Sequence, residues 1–192
     1  MKVRFTLSAD DIERAKDKIR QYEKELTLKC HTFVERLAEC GIEIAKQNKG
    51  ELGQYITFGK TVDATKYGAS GIMYGTSPSV WQFWLDKNND VKSAEIMPIL
   101  MAEFGSGGKA VDAVGGGDKL ADGTTSAEIA RRMGMGRGTF PGQTHADQDE
   151  WWWKTLDGEW HSSSGFEPTM PMFKAAIEME VQLHNIVKEV FG

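Results

Sequence analysis

Residues 151–192 read WWWKTLDGEWHSSSGFEPTMPMFKAAIEMEVQLHNIVKEVFG and carry three signals in a row: a hairpin, a proline-marked turn and a helix. The pair Asp157-Gly158 is typical of a two-residue type I′ turn, whose central residues both need positive φ. The sequence therefore predicts a β-hairpin whose loop consists of Asp157 and Gly158.

The predicted register decides which tryptophans share a face of this hairpin. A two-residue loop places Trp153 opposite Ser162, and side chains alternate across a strand. Trp151, Trp153 and Trp160 then share one face, and Trp152 lies on the other. Because a two-stranded hairpin is marginally stable alone, we expect the face with three tryptophans to pack against the helix that follows.

That C-terminal helix is predicted to begin at Thr169, a suitable N-cap residue. Pro171 then lies in the first turn, where its missing N–H costs nothing. Apolar residues recur at three- and four-residue steps, as on a helix face that packs against a core. This stripe consists of Phe173, Ala176, Ile177, Val181, His184, Val187 and Phe191, and it is widened by Met172, Leu183 and Val190. We expect Phe173, the first residue of this stripe, to face the core.

A second, longer helix is predicted near the N-terminus, preceded by a short alternating strand at residues 2–7. Ser8 and Asp11 form a capping-box pattern, and the helix runs to about Gln47. Its stripe comprises Ile12, Ala15, Ile19, Tyr22, Leu26, Cys30, Phe33, Leu37, Gly41 and Ile44. A helix of about 50 Å or more is too long for one small sheet to cover. We therefore expect part of the stripe to dock on another subunit or partner.

Residues 51–75 alternate as in an antiparallel pair of strands, with Gly68, Gly71 and Gly75 marking bulges or turns. Residues 80–86 fit either a strand or a helical turn.

Residues 99–104 are interpreted as a strand that ends at Gly105. The following stretch, residues 105–149, holds eleven of the chain's 21 glycines. We interpret it as an arm or insertion that builds no core and depends on neighbours for its order. A short helix capped by Ser126 is expected within it.

The whole chain, residues 1–192, is predicted to form one α+β domain. An antiparallel sheet is packed by the long N-terminal helix and the C-terminal helix, since strands and helices do not alternate regularly. With 40% hydrophobic residues and a net charge of −5, the chain has a real core and no electrostatic footprint for nucleic acid. We also expect no signal peptide and no membrane-spanning segment.

Cys30 and Cys40 both fall in the long helix, about 15 Å apart along its axis. That distance exceeds the reach of a disulfide. We interpret them as free thiols in a reducing environment.

The strongest pattern for metal chemistry is HADQDE, with His145, Asp147 and Asp149 followed by Glu150. Imidazole and carboxylate ligands of this kind could serve a metal-dependent hydrolase, with His161 approaching across the hairpin. No second cluster completes the shell, and a solvated acidic loop is the favoured interpretation.

Other catalytic patterns fail on spacing. Gly59-Lys60-Thr61 ends like a phosphate-binding loop, but Gln54 stands where the motif needs glycine. No serine, histidine and acid are arranged as a nucleophile and its base. The tryptophans suit a glycan platform, although core packing and interface anchoring are commoner roles.

Residues 102–107 read AEFGSG and are similar to the E-F-G-[TS]-G signature of small minor-tail or neck proteins of long-tailed bacteriophages. The resemblance extends over most of the chain outside residues 108–149. It covers a long helix, a glycine-marked strand pair, the signature, a Trp-rich hairpin, a proline turn and a last helix. These parts correspond to residues 8–47, 51–75, 102–107, 151–164, 168–171 and 172–191.

The resemblance implies a non-enzymatic virion protein of the head–tail junction, without a cofactor, assembled in the host cytoplasm. Its partners would be other copies of itself, in or on a ring, and neighbouring neck and tail proteins. The implied structural and interface residues are Glu103, Phe104, Gly105, Trp151, Trp152, Trp153, Asp157, Gly158, Trp160, Pro171 and Phe173. One departure is residues 48–53, NKGELG, where the family often carries a Pro-Val-Asp-Thr-Gly-like stretch.

Overall fold

A computed structural model of the chain describes residues 8–65, 68–86, 88–111, 118–134 and 150–192. These residues form four α-helices: α1 (Ala9–Gln47), α2 (Pro98–Phe104), α3 (Ser126–Arg132) and α4 (Pro171–Phe191). They also form six strands: β1 (Thr57–Thr65), β2 (Gly68–Thr76), β3 (Val80–Leu85), β4 (Val91–Ile96), β5 (Trp151–Lys154) and β6 (Trp160–Ser163). Single 3₁₀ turns occupy Glu51–Tyr55 and Gly107–Lys109. The predicted α+β class, with antiparallel sheets and long terminal helices, is confirmed.

Helix α1 has the predicted bounds because its ends are capped by local residues. The hydroxyl of Ser8 accepts a hydrogen bond from the backbone N–H of Asp11 (3.2 Å). At the other end, Asn48 donates to the carbonyl of Ile44 through its backbone and its side chain. The strand predicted at residues 2–7 lies outside the described residues.

Helices α1 and α4 pack antiparallel. Phe33 and Phe191 meet with ring centroids 6.1 Å apart, while the ammonium of Lys174 donates to the side-chain oxygen of Asn48 (3.2 Å). Gly41 allows a close approach, because a Cβ there would lie 2.5 Å from a methionine sulfur of α4. The two helices therefore form the spine of the fold.

The face of α4 that is buried differs from the predicted stripe. Ala175 and Ile186 are buried, and Met179 contacts the backbone of Gly41. Val181, predicted to face the core, is exposed. Phe173 is 4% exposed, as expected. The buried face differs from the predicted stripe by one or two residues, because apolar residues occur on two neighbouring sides of this helix.

Strands β1 and β2 form the predicted antiparallel pair in an unbroken register from Thr57↔Thr76 to Thr65↔Gly68. Gly71 and Gly75 lie within this ladder, so the bulges predicted there are wrong. A Cβ at Gly71 would come within 2.6 Å of Val34 on α1. This glycine instead lets the strand lie close against the long helix.

A separate four-stranded antiparallel sheet has the order β4-β3-β5-β6. The segment that fitted either a strand or a helical turn is strand β3. It pairs with β4 along its whole length and with β5 at Leu85↔Lys154. This single pairing joins the Trp-rich hairpin to the rest of the sheet.

Two predictions between residues 98 and 134 are wrong. Residues 99–104 belong to helix α2 and not to a strand, because Pro98 occupies the first helical position, where proline is favoured. Helix α3 is capped by Thr125 rather than Ser126, since Thr125 and Glu128 form a reciprocal capping box.

The core has two adjoining clusters. The first contains Ala45, Ile56, Phe58, Ala102 and Ala175. The second contains Phe104, Val111 and Ala130. Because Val111 and Ala130 are buried, the expectation that the glycine-rich stretch builds no core is wrong for its described part.

Candidate interaction surfaces

The β5–β6 hairpin exists as predicted, but its register differs from the prediction by one residue. Trp153 lies opposite His161, and Lys154 lies opposite Trp160. The rings of Trp153 and His161 stack, with centroids 5.6 Å apart.

The cause of the shift is a three-residue loop in place of a two-residue turn. The N–H of Gly158 donates to the carbonyl of Thr155 (2.9 Å), and the N–H of Thr155 donates to the carbonyl of Glu159 (2.8 Å). Gly158 has a φ of 93°, whereas Asp157 does not have positive φ. The Asp157 carboxylate instead accepts a hydrogen bond from the Thr155 hydroxyl. A three-residue loop with a left-handed glycine is the next commonest hairpin connection.

A one-residue shift moves side chains to the opposite face of a sheet. Trp160 therefore lies on the same face as Trp152, and the predicted grouping of Trp160 with Trp151 and Trp153 is wrong. The side chains of Trp152 and Trp160 are largely exposed. Trp160 therefore does not pack against α4 as expected.

Strand β3 extends this exposed face. Because Leu85 pairs with Lys154, alternate residues of β3 lie on the same side of the sheet as Trp152. We call this surface the aromatic face; it consists of Trp81, Phe83, Val91, Trp152 and Trp160. Each of these five side chains is between 54% and 63% exposed.

The opposite face of the sheet is better covered. Ala94 is buried there, and Trp84 and Trp153 are partly buried. Contiguous apolar patches of several large side chains are uncommon on monomeric proteins and mark interaction sites. The aromatic face is therefore a candidate binding surface.

The AEFGSG segment has a different role, because it forms a joint with the turn before α4. We call residues 102–106 together with residues 166–173 the joint. The two carboxylate oxygens of Glu103 accept hydrogen bonds from the backbone N–H groups of Met172 (2.8 Å) and Phe173 (2.9 Å). Glu103 thus caps the N-terminus of α4 from seventy residues away in sequence.

The cap predicted at Thr169 is wrong. The N-cap residue of α4 is Met170, which has left-handed φ and no side-chain capping bond. The backbone N–H groups of Thr169 and Met170 both donate to the carbonyl of Ala102 (2.8 and 3.0 Å). Pro171 occupies the first helical turn, as predicted. The start of α4 is therefore held by α2 rather than by its own side chains.

Gly105 and Ser106 complete the joint. Gly105 has a φ of 68°, and a Cβ there would lie 2.7 Å from the carbonyl oxygen of Phe166. Ser106 donates its backbone N–H to that carbonyl and accepts the Phe166 N–H with its hydroxyl, both at 2.9 Å. Only glycine combines this conformation with so close an approach.

The electrostatics of the joint centre on Glu103, which is buried. Burial raises the pKa of the Glu103 carboxyl. Two backbone N–H donors and the ammonium of Lys174 act in the opposite direction but do not offset the loss of solvation. A helix N-terminus favours a negative group, so the position suits a carboxylate despite the cost of burying it.

A third feature is the N-terminal part of α1. The last turn of α4 contacts α1 at Phe33, and the apolar stripe of α1 continues towards the N-terminus beyond that contact. Within it, Ile12, Ile19, Tyr22 and Leu26 are between 37% and 47% exposed. We call these four residues the projecting stripe.

The residues considered for catalysis do not form a site in the described structure. His145, Asp147 and Asp149 lie outside the described residues. Lys60, from the phosphate-loop-like triplet, bridges Glu35 (3.0 Å) and Glu39 (2.7 Å) on α1 and so joins β1 to the long helix. Among residues the structure describes, no three His, Cys, Asp or Glu side chains cluster as metal ligands. In that same part of the chain, no helix has the length and apolarity needed to cross a bilayer.

Comparisons with known proteins leave these surfaces to be interpreted on their own geometry. No protein-family model matches the chain, and neither curated proteins nor solved structures gave a significant match.

Some residues of these surfaces were not predicted from the sequence. The strand pattern of VWQFWL contained the signal for Trp81 and Phe83, because alternation places them on one face. The capping role of Glu103 had no local signal, since its partners lie seventy residues later.

Proposed function

We propose that this chain is a non-enzymatic structural protein of the neck or tail of a long-tailed bacteriophage, acting through contacts with other copies and with neighbouring virion proteins. The observation that carries the proposal is the aromatic face: five large apolar side chains, each more than half exposed, on one side of a four-stranded sheet. Such a surface is costly to leave in water and suits a protein that works within an assembly.

The ordered motif set gives independent support. The AEFGSG signature and the proline turn are about sixty residues apart in sequence, yet they are hydrogen-bonded to each other in the joint. The segments that carry the resemblance therefore form one structural unit, which supports the proposal.

The decisive experiment is electron microscopy of phage particles assembled without this protein. We expect heads and tails that fail to join, or tails of abnormal length or ending, together with loss of infectivity. Normal tailed, infectious particles would rule the proposal out. The mass of the purified protein, alone and with candidate neck proteins, tests the same proposal in solution.

A second candidate function is binding of cell-wall glycan, favoured by the exposure of Trp152 and Trp160 on one face. Aromatic rings of this kind can stack on sugar rings. A glycan pull-down with wild type, Trp152→Ala and Trp160→Ala decides between the two functions. Leu156→Ala is the matched control, because Leu156 is equally exposed but lies in the hairpin loop. Absence of binding by the wild type removes this candidate.

A further inference from the structure

The projecting stripe continues the same side of α1 that α4 covers further along. From Ile12 to Ile44 the apolar residues follow one another at three- and four-residue steps, so they stay on one side of the helix. Beyond Cys30 this side packs against α4. Before Cys30 its large side chains are exposed, with Ile19 the most exposed member of the projecting stripe, while the small side chain of Ala15 among them is buried. Helix α4 thus covers only the C-terminal half of this side of α1. A second helix, antiparallel to α1 and in line with α4, would be needed to cover the other half.

We propose that this neighbour is the same segment of α1 from a second copy of the chain, paired antiparallel about a two-fold axis. Residues 12–26 have apolar side chains at every a and d position of a coiled coil: Ile12, Ala15, Ile19, Tyr22 and Leu26. In an antiparallel pair centred between Ile19 and Tyr22, each of these two side chains meets the other residue of the second copy. The contact is isologous, as in the commonest homodimers.

The position of α4 selects the antiparallel orientation. In a parallel pair, the second α1 would run on into the space that α4 occupies next to Phe33. In the antiparallel pair, the second α1 begins where α4 ends and continues in the same direction along the stripe. The C-terminal end of α4 then faces the N-terminal end of the second α1, so the two helix dipoles are aligned head to tail.

The charges beside the stripe complement one another in this arrangement. Antiparallel pairing about the same centre places Lys18 next to Glu25 of the second copy and Lys16 next to Glu23 of the second copy. Two-fold symmetry repeats both contacts. Because these residues border the apolar stripe, their charges influence orientation more than they add stability.

The test is the mass of the full-length protein, measured by light scattering and by sedimentation over a concentration series. We expect the wild type to reach twice the chain mass of 21.4 kDa. Ile19→Glu should weaken the dimer about 100-fold or more, because a charge would be buried at the central layer. Leu28→Glu is the matched control: Leu28 is 67% exposed on the same helix but lies off the stripe, and this variant should remain dimeric.

Charge exchange tests the orientation. Lys18→Glu should raise the dimer dissociation constant about two- to tenfold, and adding Glu25→Lys should restore it. In a parallel pair, restoration would instead require Glu23→Lys, and that result would overturn the antiparallel arrangement. A monomeric wild type, or an Ile19→Glu variant with unchanged mass and helix content, would overturn the pairing itself.

This inference builds on the proposed assembly role, but the two can fail separately. If Ile19→Glu stays assembled while substitution of Trp152 and Trp160 lowers the mass, α1 pairing is wrong and the role of the aromatic face stands. If particles lacking the protein are normal and infectious while the Ile19→Glu result holds, the chain is a dimer with a different function.

Discussion

The joint and the aromatic face both contain residues that the sequence singled out, but their surroundings differ. In the joint, the Glu103 carboxylate and the backbone groups of residues 102–106 and 166–173 are hydrogen-bonded to one another and mostly buried. On the aromatic face, large apolar side chains are mostly in contact with solvent. The joint therefore fixes the conformation of the chain, whereas the aromatic face remains available for contacts. Substitutions in the joint should therefore affect stability, and those on the aromatic face should affect assembly.

The largest effect is expected for Phe173→Ala, which removes a buried aromatic ring next to the joint. The loss should be about 3–5 kcal/mol in the free energy of unfolding, measured by urea denaturation. Phe83→Ala is the matched control, because that ring is more than half exposed on the aromatic face. A loss below about 1 kcal/mol for Phe173→Ala would mean that the ring is not part of the core.

Gly105→Ala should be the next most damaging, at about 2–4 kcal/mol. The new Cβ would meet two backbone carbonyl oxygens, which cannot move aside without breaking the joint. Gly123→Ala is the control, since Gly123 also has positive φ but has no atom near the new Cβ. It should cost only the conformational strain, about 1–2 kcal/mol. Equal losses in thermal denaturation would show that close packing at Gly105 is unimportant.

Glu103→Gln should lower the free energy of unfolding by about 1–3 kcal/mol. The amide nitrogen of glutamine cannot accept a hydrogen bond, so one of the two backbone N–H groups loses its partner. Burial raises the pKa of Glu103 in the folded protein. Because the pKa of Glu103 is higher in the folded than in the unfolded protein, its contribution to stability is fully present at low pH. This contribution is lost as pH rises from the unfolded pKa, about 4.3, through the raised folded pKa. The advantage of wild type over Glu103→Gln should therefore shrink with rising pH. Urea unfolding at several pH values measures this advantage. If the advantage of wild type over Glu103→Gln grows with rising pH, the raised pKa of Glu103 is contradicted.

The smallest effect on stability is expected for Trp152→Ser combined with Trp160→Ser. Both rings are mostly exposed, so the free energy of unfolding should change by less than about 1 kcal/mol. Binding to neighbouring copies or neck proteins should nevertheless weaken, as measured by sedimentation of the mixtures. A large loss of stability with unchanged binding would reverse the assignment of the two regions.

The sequence was most informative where signals are local. Helix α1 was predicted with its bounds because Ser8 and Asp11 cap one end and a long periodic stripe follows. The β1–β2 pair and the existence of the β5–β6 hairpin followed from alternation and from the Asp157-Gly158 turn signal. Repeating patterns of this kind depend on neighbours within a few residues.

The sequence was least informative where distant residues decide the structure. Residues 99–104 look like a strand because they are apolar, but their helix provides the carboxylate and carbonyl groups that fix the start of α4. The hairpin register depended on one extra loop residue, and this reversed the face on which Trp160 lies. Which tryptophans are exposed could not be inferred until that register was known.

The packing of α1 against α4 has a consequence for biosynthesis. The two helices are separated by more than one hundred residues, so α1 leaves the ribosome well before the segment that covers it. At about 5–20 residues per second, its apolar side stays bare for several seconds or more. Nascent chains on one messenger RNA are close together during that interval. Pairing of α1 with α1 of a chain on a neighbouring ribosome would cover this apolar surface and protect it from aggregation before synthesis of the chain is complete.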